Sequence, residues 1–447
     1  MTQVLALDVG TSSVRAHRFD ASATERGDPS KHQYVGETDP DRLVATVRDV
    51  LDEAGGTRGV AAVGASCFGH SLLALDGSGF PLTPVLGWRD RRSADAADRL
   101  LARLDDSSVH ARTGCHIHTS YWPAKLAWLA DEEPETFRAA RRFVSFCDFL
   151  YERLLGRSVP SSLSMASATG LLDLTTRRWD EELLQTLGVD AEQLPVIDDG
   201  AVDGWYPAAL DGACSNVGAG CVTRDRAALM IGTSGAFRTV FETAQPRPRT
   251  SLFVHWIDGR RVVEGGSLSD GGALPKWLAQ TLRAAEGSLA GRDPDSHGLT
   301  FLTLLGGERS LGWHQDAEGA IAGLTFETTA LDIRQAALEG VAFRFAEIAE
   351  RMPEVREIVA TGGALLNDSD WLQIVADALG RPIVASGVEE ASLRGAAVLA
   401  LGRLGETPDP APLGAVVEPR RDRAAAYERA RERQRRLYDA VTSAPTS

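Results

Sequence analysis

The tripeptide Gly-Thr-Ser stands at residues 10–12 and again at 232–234, an offset of 222 residues in a chain of 447. Each copy follows directly on an apolar run, "VLALDV" in the first case and "AALMI" in the second, and each leads into another extended stretch holding an arginine, Arg15 or Arg238. An offset of half the chain implies that a strand-turn-strand unit was made twice. The pattern predicts two similar domains, residues 1–222 and 223–447, which also suits a length too great for one ordinary core.

Between these landmarks, strand and helix signals alternate. A helix over about Arg42–Ala54 leads into the apolar strand "GVAAVGASC", the alternation of an α/β fold. The polar stretch "ERGDPSKHQ", 25–33, reads as turn, and "GGSLSDGG", 265–272, reads as a loop before a helix start. "WPAKLAWLADEEPE" reads as a short amphipathic helix with Pro123 at a tolerated early position. Three stronger helix readings follow. The segment 328–352 carries Ile333, Ala337, Val341, Phe345 and Ile348 on one face. The next begins at Asp368 or Ser369 and stops at Gly380. The third, "ASLRGAAVLALGRLG", is rich enough in Ala and Gly to approach another backbone closely. The last helix, within 420–441, reads as amphipathic and solvated.

Charge narrows the class of ligand. With 47 basic and 62 acidic residues the net charge is −15, which speaks against nucleic acid or an anionic membrane as the partner and for a small molecule. Five cysteines with no C-x-x-C pair suggest neither a disulfide framework nor a zinc knuckle. No long apolar run predicts a membrane span, so the expected location is the cytoplasm.

Several residues are candidates for chemistry. A glycine turn with small hydroxyl residues exposes successive N–H and O–H groups that can cradle phosphate oxygens, although a plain β-turn has the same composition. Asp8 lies among Leu5, Leu7 and Val9. It is either a solvated strand-end acid or a buried carboxylate in need of a cation, such as hydrated Mg²⁺ on nucleotide phosphates. Asp211, in "DGACSNVGAGC", is positioned either as a turn residue or as a base for a hydroxyl. His70, with Trp88, Asp90 and Arg92 of "GWRDRRS", suits a polyhydroxylated ligand, the bland alternatives being a core histidine and a charged loop. "CHIH", 115–118, has the wrong spacing for a metal site.

These segments carry a resemblance. The chain resembles the FGGY carbohydrate kinases from about residue 3 to about residue 403: "GAIAGLTFETTALDIRQAALE" fits one long family signature and "AKLAWL" fits the core of another. "DVGTSSVR", "MIGTSGAFR", "ATGGALLNDSDWLQIVADALGRP" and "ASLRGAA" follow in the family's order. The resemblance implies two duplicated ribonuclease-H-like domains of the actin-like ATPase class, with ATP in an interdomain cleft whose closure excludes water. It implies that Gly10, Thr11, Ser12 and Arg15, with Gly232 and Thr233, meet nucleotide phosphates. Gly272, Lys276, Gly362, Gly363 and Asn367 would line the nucleoside end, Asp8 would face Mg²⁺, and Asp211 would be the catalytic base. His70, Trp88, Asp90 and Arg92 would contact the sugar.

"SMASATGLLDL", "TGCHIH" and "GGERSLGWHQDAEGAIAGL" look most like gluconate kinases, so the expected reaction is gluconate to 6-phosphogluconate. A xylulose, ribulose or other polyol kinase is the alternative, and a non-catalytic actin-like ATP-binding switch is the alternative of another class. Expected partners are a sugar or sugar-acid substrate, no nucleic acid and no membrane, with a homodimer left open. Two departures stand out. Gly69 precedes His70 where the family commonly has Met, and Ser162 occupies a usual Asp position.

Overall fold

The computed structural model describes residues 2–282 and 287–442. The chain forms two compact units, one of Met1–Val222, Val240–Glu264 and Glu390–Ala411, the other of Thr223–Thr239, Gly265–Glu389 and Pro412–Ser447. Two segments of the second half thus belong to the first unit, and the chain crosses between units several times rather than once.

In the first unit five strands lie in the order Glu25–Gln33, Ser13–Asp20, Gln3–Val9, Ala62–Cys67, Ala209–Leu210. The first three are antiparallel, and Ala62–Cys67 runs parallel to Gln3–Val9. The central strand sorts its side chains by parity. Leu5, Leu7 and Val9 enter one core with Val44, Val47 and Val50 of the helix Pro40–Glu53, while Val4 and Ala6 enter another with Leu393, Ala396 and Ala400 of the helix Ala391–Arg403. Asp8 shares the parity of Val4 and Ala6 and therefore faces the second helix.

That helix packs as its composition predicts. A Cβ on Gly395 would lie 1.9 Å from the Cys214 carbonyl oxygen, and one on Gly218 would lie 1.8 Å from that of Ala391. The helix Ala391–Arg403 therefore meets the helix Asp211–Gly218 backbone to backbone, and the helix that begins with Asp211 is set by glycine contacts.

The residues 25–33 form a strand, not the expected turn. They are the sheet's edge, almost wholly exposed, so no apolar alternation marks them, and an edge tolerates Pro29.

A second sheet has seven strands in the order Phe253–Trp256, Arg261–Leu268, Gly235–Glu242, Arg226–Ile231, Glu357–Thr361, Ile383–Ser386, Leu413–Val417. The hairpin Arg226–Ile231/Gly235–Glu242 is antiparallel and Glu357–Thr361 is parallel to its first strand, repeating the plan of the first unit. The expected loop at 265–272 is half strand: a Cβ on Gly265 would lie 2.2 Å from the Phe237 carbonyl oxygen, so glycine here serves close strand packing. The helix Ala330–Glu350 opens with a capping box between Thr329 and Asp332. It is buried on every side from Gln335 to Ala349, beyond the single stripe its spacing predicts. Asp368 caps the helix Ser369–Leu379 and Gly380 ends it in the left-handed conformation, as expected. The terminal helix Ala424–Thr442 buries Tyr427, Ala430 and Gln434.

Candidate active site

The register of the first sheet assembles an ionic cluster around Asp8. Arg15 lies opposite it on the antiparallel neighbour and Ser66 beside it on the parallel one. Arg15 Nη1 donates to Asp8 Oδ2 at 2.8 Å, and Ser66 Oγ donates to Oδ1 at 2.7 Å. Arg15 also pairs with Glu390 at 3.0 Å, and Lys31 reaches the same carboxylate at 3.1 Å. Asp8 is 3% exposed. Burial pushes its carboxyl up to about 6, with the negative charges of Asp211 and Glu390 adding to the shift and Arg15 and Ser66 opposing it. Asp8 is thus a buried acid with partners, not a solvated strand end.

Asp211 is the first residue of its helix, and its carboxylate accepts the Gly212 N–H at 2.7 Å. A carboxylate in a helix's first turn is stabilised by the unpaired N–H groups there. The adjacent turn, Gly10 to Ser12, is closed by Gly10 N–H to Ser13 O at 2.9 Å and braced by Tyr34 O–H on the Gly10 carbonyl at 2.6 Å. Thr11 and Ser12 remain exposed at its tip.

The second unit gathers three backbone segments around its own turn. Gly272 N–H donates to the Gly232 carbonyl at 2.7 Å and Ala273 N–H to that of Thr233 at 3.1 Å. Gly362, at φ +88°, leaves no room for a side chain, since its Cβ would lie 2.4 Å from the Ile231 carbonyl oxygen. A Cβ on Gly272 would lie 2.6 Å from Ala364 Cβ. Gly232, Thr233, Gly272, Gly362, Gly363 and, through the Asn367 N–H to the Gly363 carbonyl, Asn367 are therefore brought together. Lys276 lies one turn inside the helix Ala273–Thr281, exposed and without a hydrogen bond or ion pair among the described residues.

In the first unit one sugar candidate, His70, follows a glycine packed beside the neighbour of Asp211. Gly69 packs against Leu210, the residue before Asp211: a Cβ on Gly69 would lie 2.2 Å from Leu210 Cδ1. A larger residue here, such as the Met common in the family, would require the Leu210 side chain to move. His70 follows at φ +64°, a left-handed conformation that costs a non-glycine residue on the order of 1 kcal/mol. Its Nδ1–H donates to the Ala168 carbonyl at 2.6 Å. Tyr121 meets the His70 ring edge-to-face at 4.9 Å and His255 lies 5.7 Å from it.

Asp90 holds Arg92 side-on, Nε at 3.0 Å and Nη2 at 2.5 Å, while the guanidinium stacks 4.7 Å over Trp128. Burial would raise the Asp90 carboxyl, but its bonds from Arg92, helped by the Lys125 charge, hold it below the usual range. Trp88 sits beneath the Arg89 guanidinium at 4.6 Å.

Ser162 does the work of the Asp it replaces, capping the helix Leu163–Ser167 by accepting from Met165 N–H at 3.0 Å.

Sequence reasoning missed Ser66, Glu390, Tyr121, Lys125 and His255. Ser66 was legible, since it sits within a strand beside the Asp8 strand. Glu390 and His255 carried no signal, because pairing across more than 180 residues leaves no local pattern. A third group, Asp295, His297 and Glu339, has the composition of a metal site. It is instead a closed latch: His297 Nδ1 accepts from Leu299 N–H at 2.9 Å, so Nε2 carries the proton it shares with Glu339, and a metal would have to displace it.

Residues 3–202 match the N-terminal domain of the FGGY family of carbohydrate kinases, and residues 227–402 match the C-terminal domain. The chain belongs to the FGGY family of carbohydrate kinases. It is 27% identical to the gluconokinase of Bacillus subtilis (strain 168), across 90% of this chain and 88% of that one. It is 32% identical to a glycerol kinase of Acidovorax sp. (strain JS42), across 90% of each. Its fold superposes on a ligand-bound xylulose kinase from Lactobacillus acidophilus with a TM-score of 0.87 at 27% identity, covering 99% of both chains. The fold is accordingly the duplicated ribonuclease-H-like, actin-like architecture that the resemblance implied. An FGGY kinase is a phosphotransferase that uses ATP and acts on a small sugar substrate. Among the described residues no helix is long and apolar enough to cross a membrane.

Proposed function

We propose that this FGGY kinase transfers the terminal phosphoryl group of ATP to the terminal hydroxyl of a sugar acid, converting gluconate to 6-phosphogluconate in the cytoplasm. The observation that carries the sugar-acid reading is Arg92. Asp90 engages its Nε and Nη2, Trp128 supports its flat face, and Nη1 makes no hydrogen bond among the described residues. A guanidinium held this way presents one oriented donor edge to a substrate carboxylate. The similarity to a gluconokinase supports the same reading, and the similarity to a xylulose kinase supports a ketopentose as the second.

In this reading Asp211 accepts the proton of the substrate hydroxyl as that oxygen attacks the terminal phosphorus; the bond from phosphorus to the bridging oxygen breaks, and ADP leaves. The N–H and O–H groups of Thr11, Ser12 and Thr233 donate to phosphate oxygens at turns shaped by Gly10 and Gly232, and Arg15 adds positive charge. Gly272, Gly362, Gly363, Asn367 and Lys276 hold the nucleoside. His70 Nε2, Trp88 and Asp90 orient the sugar.

The residues around Asp8 fit Mg²⁺. Asp8 gathers negative charge with Asp211 and Glu390, and Arg15 and Ser66, which now hold its oxygens, would have to share them with the ion. When bound, the ion would neutralise phosphate charge; Asp8 would hold it through its water shell.

ADP release across gluconate, xylulose, ribulose and glycerol, for the wild type and Asp211→Asn, tests the reading. Gluconate should give the highest kcat/KM. Asp211→Asn should lower kcat by about 10²–10⁴-fold with ATP affinity unchanged. A preferred neutral sugar would sink the sugar-acid reading, and near-normal turnover by the variant would sink the base.

A further inference from the structure

Lys31, Lys125 and Lys276 are the only lysines among the 47 basic residues of this chain. Where arginine is the ordinary choice, a lysine marks a place that a guanidinium does not suit. Lys125 is also 1% exposed. It lies in the helix Trp122–Glu132 on the buried face it shares with Trp122, Leu126 and Leu129, where a lysine is out of place.

Its ammonium donates to two main-chain carbonyls, those of His70 at 2.5 Å and Ser120 at 2.8 Å. The first belongs to the residue in the left-handed conformation. The Ser120 hydroxyl donates in turn to the Trp88 carbonyl at 3.2 Å, and Trp122 of the same helix donates to the Ser71 carbonyl at 2.8 Å. The Lys125 charge also acts on Asp90. One compact cation therefore ties together the segments that carry His70, Trp88 and Asp90, which are far apart in sequence. A buried ammonium is costly, and an apolar residue of similar length commonly supplies equal or better stability at such a position. What an apolar residue cannot do is hold two carbonyl oxygens at one point. That task calls for a small tetrahedral donor, not the planar fork of arginine.

We propose that Lys125 is a positioning residue for the sugar: by clamping the His70 and Ser120 carbonyls it fixes the His70 ring and the Trp88–Asp90 loop in the arrangement that binds substrate. This rests on the reading that His70, Trp88 and Asp90 meet the sugar. It predicts that loss of the ammonium weakens sugar binding and leaves the nucleotide alone.

The test compares Lys125→Met, Ser120→Ala, His70→Ala and Asp90→Ala on the full chain, using the best sugar of the wild-type panel, with hydrogen–deuterium exchange on the first two. Lys125→Met should raise the sugar KM about tenfold or more, and Ser120→Ala about threefold, with the ATP KM held within about twofold. Exchange should quicken around residues 68–75, 86–93 and 116–122 and stay unchanged elsewhere. A folded Lys125→Met variant with a normal sugar KM, or with both KM values rising together, would overturn the proposal. Should that variant fail to fold, Ser120→Ala decides: a raised sugar KM with ATP unaffected supports the clamp, and an unchanged one refutes it. If His70→Ala and Asp90→Ala change the sugar KM but Lys125→Met does not, only the clamp fails. If His70→Ala and Asp90→Ala also leave it unchanged, the sugar site itself is misassigned, and the clamp falls with it.

Discussion

The crossing that sets Asp211 can be broken with a single methyl group. In Gly395→Ala the new Cβ would lie 1.9 Å from the Cys214 carbonyl oxygen and 2.5 Å from its carbonyl carbon. Carbon and oxygen approach to about 3.3 Å even in close Cα–H contacts, so the helices must separate by roughly 1 Å or more. Both partners are backbone, and no rotamer change can relieve the clash. Overpacking of this kind costs about 1–3 kcal/mol, and the rigid contact puts this case at the upper end, roughly a 5–10 °C fall in Tm for a unit of this size. Cys214 is one turn from Asp211, so the same displacement reaches the proposed base, where about 1 Å of misplacement can cost 10²-fold in rate. Calorimetry and steady-state kinetics at saturating ATP and sugar measure both effects. Gly402→Ala is the matched control: it lies in the same helix with nothing within 4 Å of its Cβ, and should be neutral or slightly stabilising. A Gly395→Ala variant that melts and turns over like Gly402→Ala would refute the claim that this contact sets the base.

Two further outcomes follow from the same geometry. Asp8 has its carboxyl raised from 3.8 to about 6, so between those values the folded chain binds the extra proton and the contribution of Asp8 to stability falls as pH rises. The unfolding free energy of Asp8→Asn relative to wild type should therefore increase by about 2 kcal/mol from pH 4 to pH 7 in urea titrations, and a flat difference would refute the shift. In the second unit, Gly362→Ala forces a side chain onto a residue at φ +88° and against the Ile231 carbonyl. ATP affinity by titration calorimetry should drop about tenfold or more, with the sugar KM preserved; unchanged ATP binding would remove the 362–363 turn from the nucleotide site.

Backbone-encoded features were the most legible in the sequence. The two Gly-Thr-Ser turns, the glycine-rich helix, the Asp368 cap and the Gly380 stop all rest on local stereochemistry, which a sequence states directly. The strand Glu25–Gln33 was hidden because an exposed edge has no buried face to impose alternation. The full burial of Ala330–Glu350 was hidden because its polar members are satisfied in the interior: Glu339 by His297 and Gln335, Arg344 by Glu308 and Glu347. Lys125 was hidden for a related reason, since its partners are main-chain carbonyls, and these carry no signature in the sequence. Asp8 and Asp211 drew attention as acids in apolar surroundings. The link from Gly69 through Leu210 to Asp211 could be found only in the folded chain.

The duplication also clarifies what a Gly-Thr-Ser turn means by itself. The two hairpins share a backbone plan, with an antiparallel partner and a parallel neighbour in each, yet the residue two before the glycine differs: Asp8 in one, Met230 in the other. Around Asp8 the register supplies Arg15 and Ser66; around Met230 it supplies Ala236 and Thr361. Met230 folds back so that its sulfur accepts the Gly232 N–H at 3.1 Å. Both turns offer backbone N–H and hydroxyl groups, which suit phosphate oxygens, but only the first adds a carboxylate able to meet a cation. Phosphate recognition, as proposed, is therefore a property of the repeated backbone and can be inherited by both copies. In the proposed mechanism ion binding and proton transfer depend on side chains and divide asymmetrically, with Asp8 and Asp211 both in the first unit. On the proposed assignment, the acid before the glycine, rather than the glycine turn, marks the catalytic half.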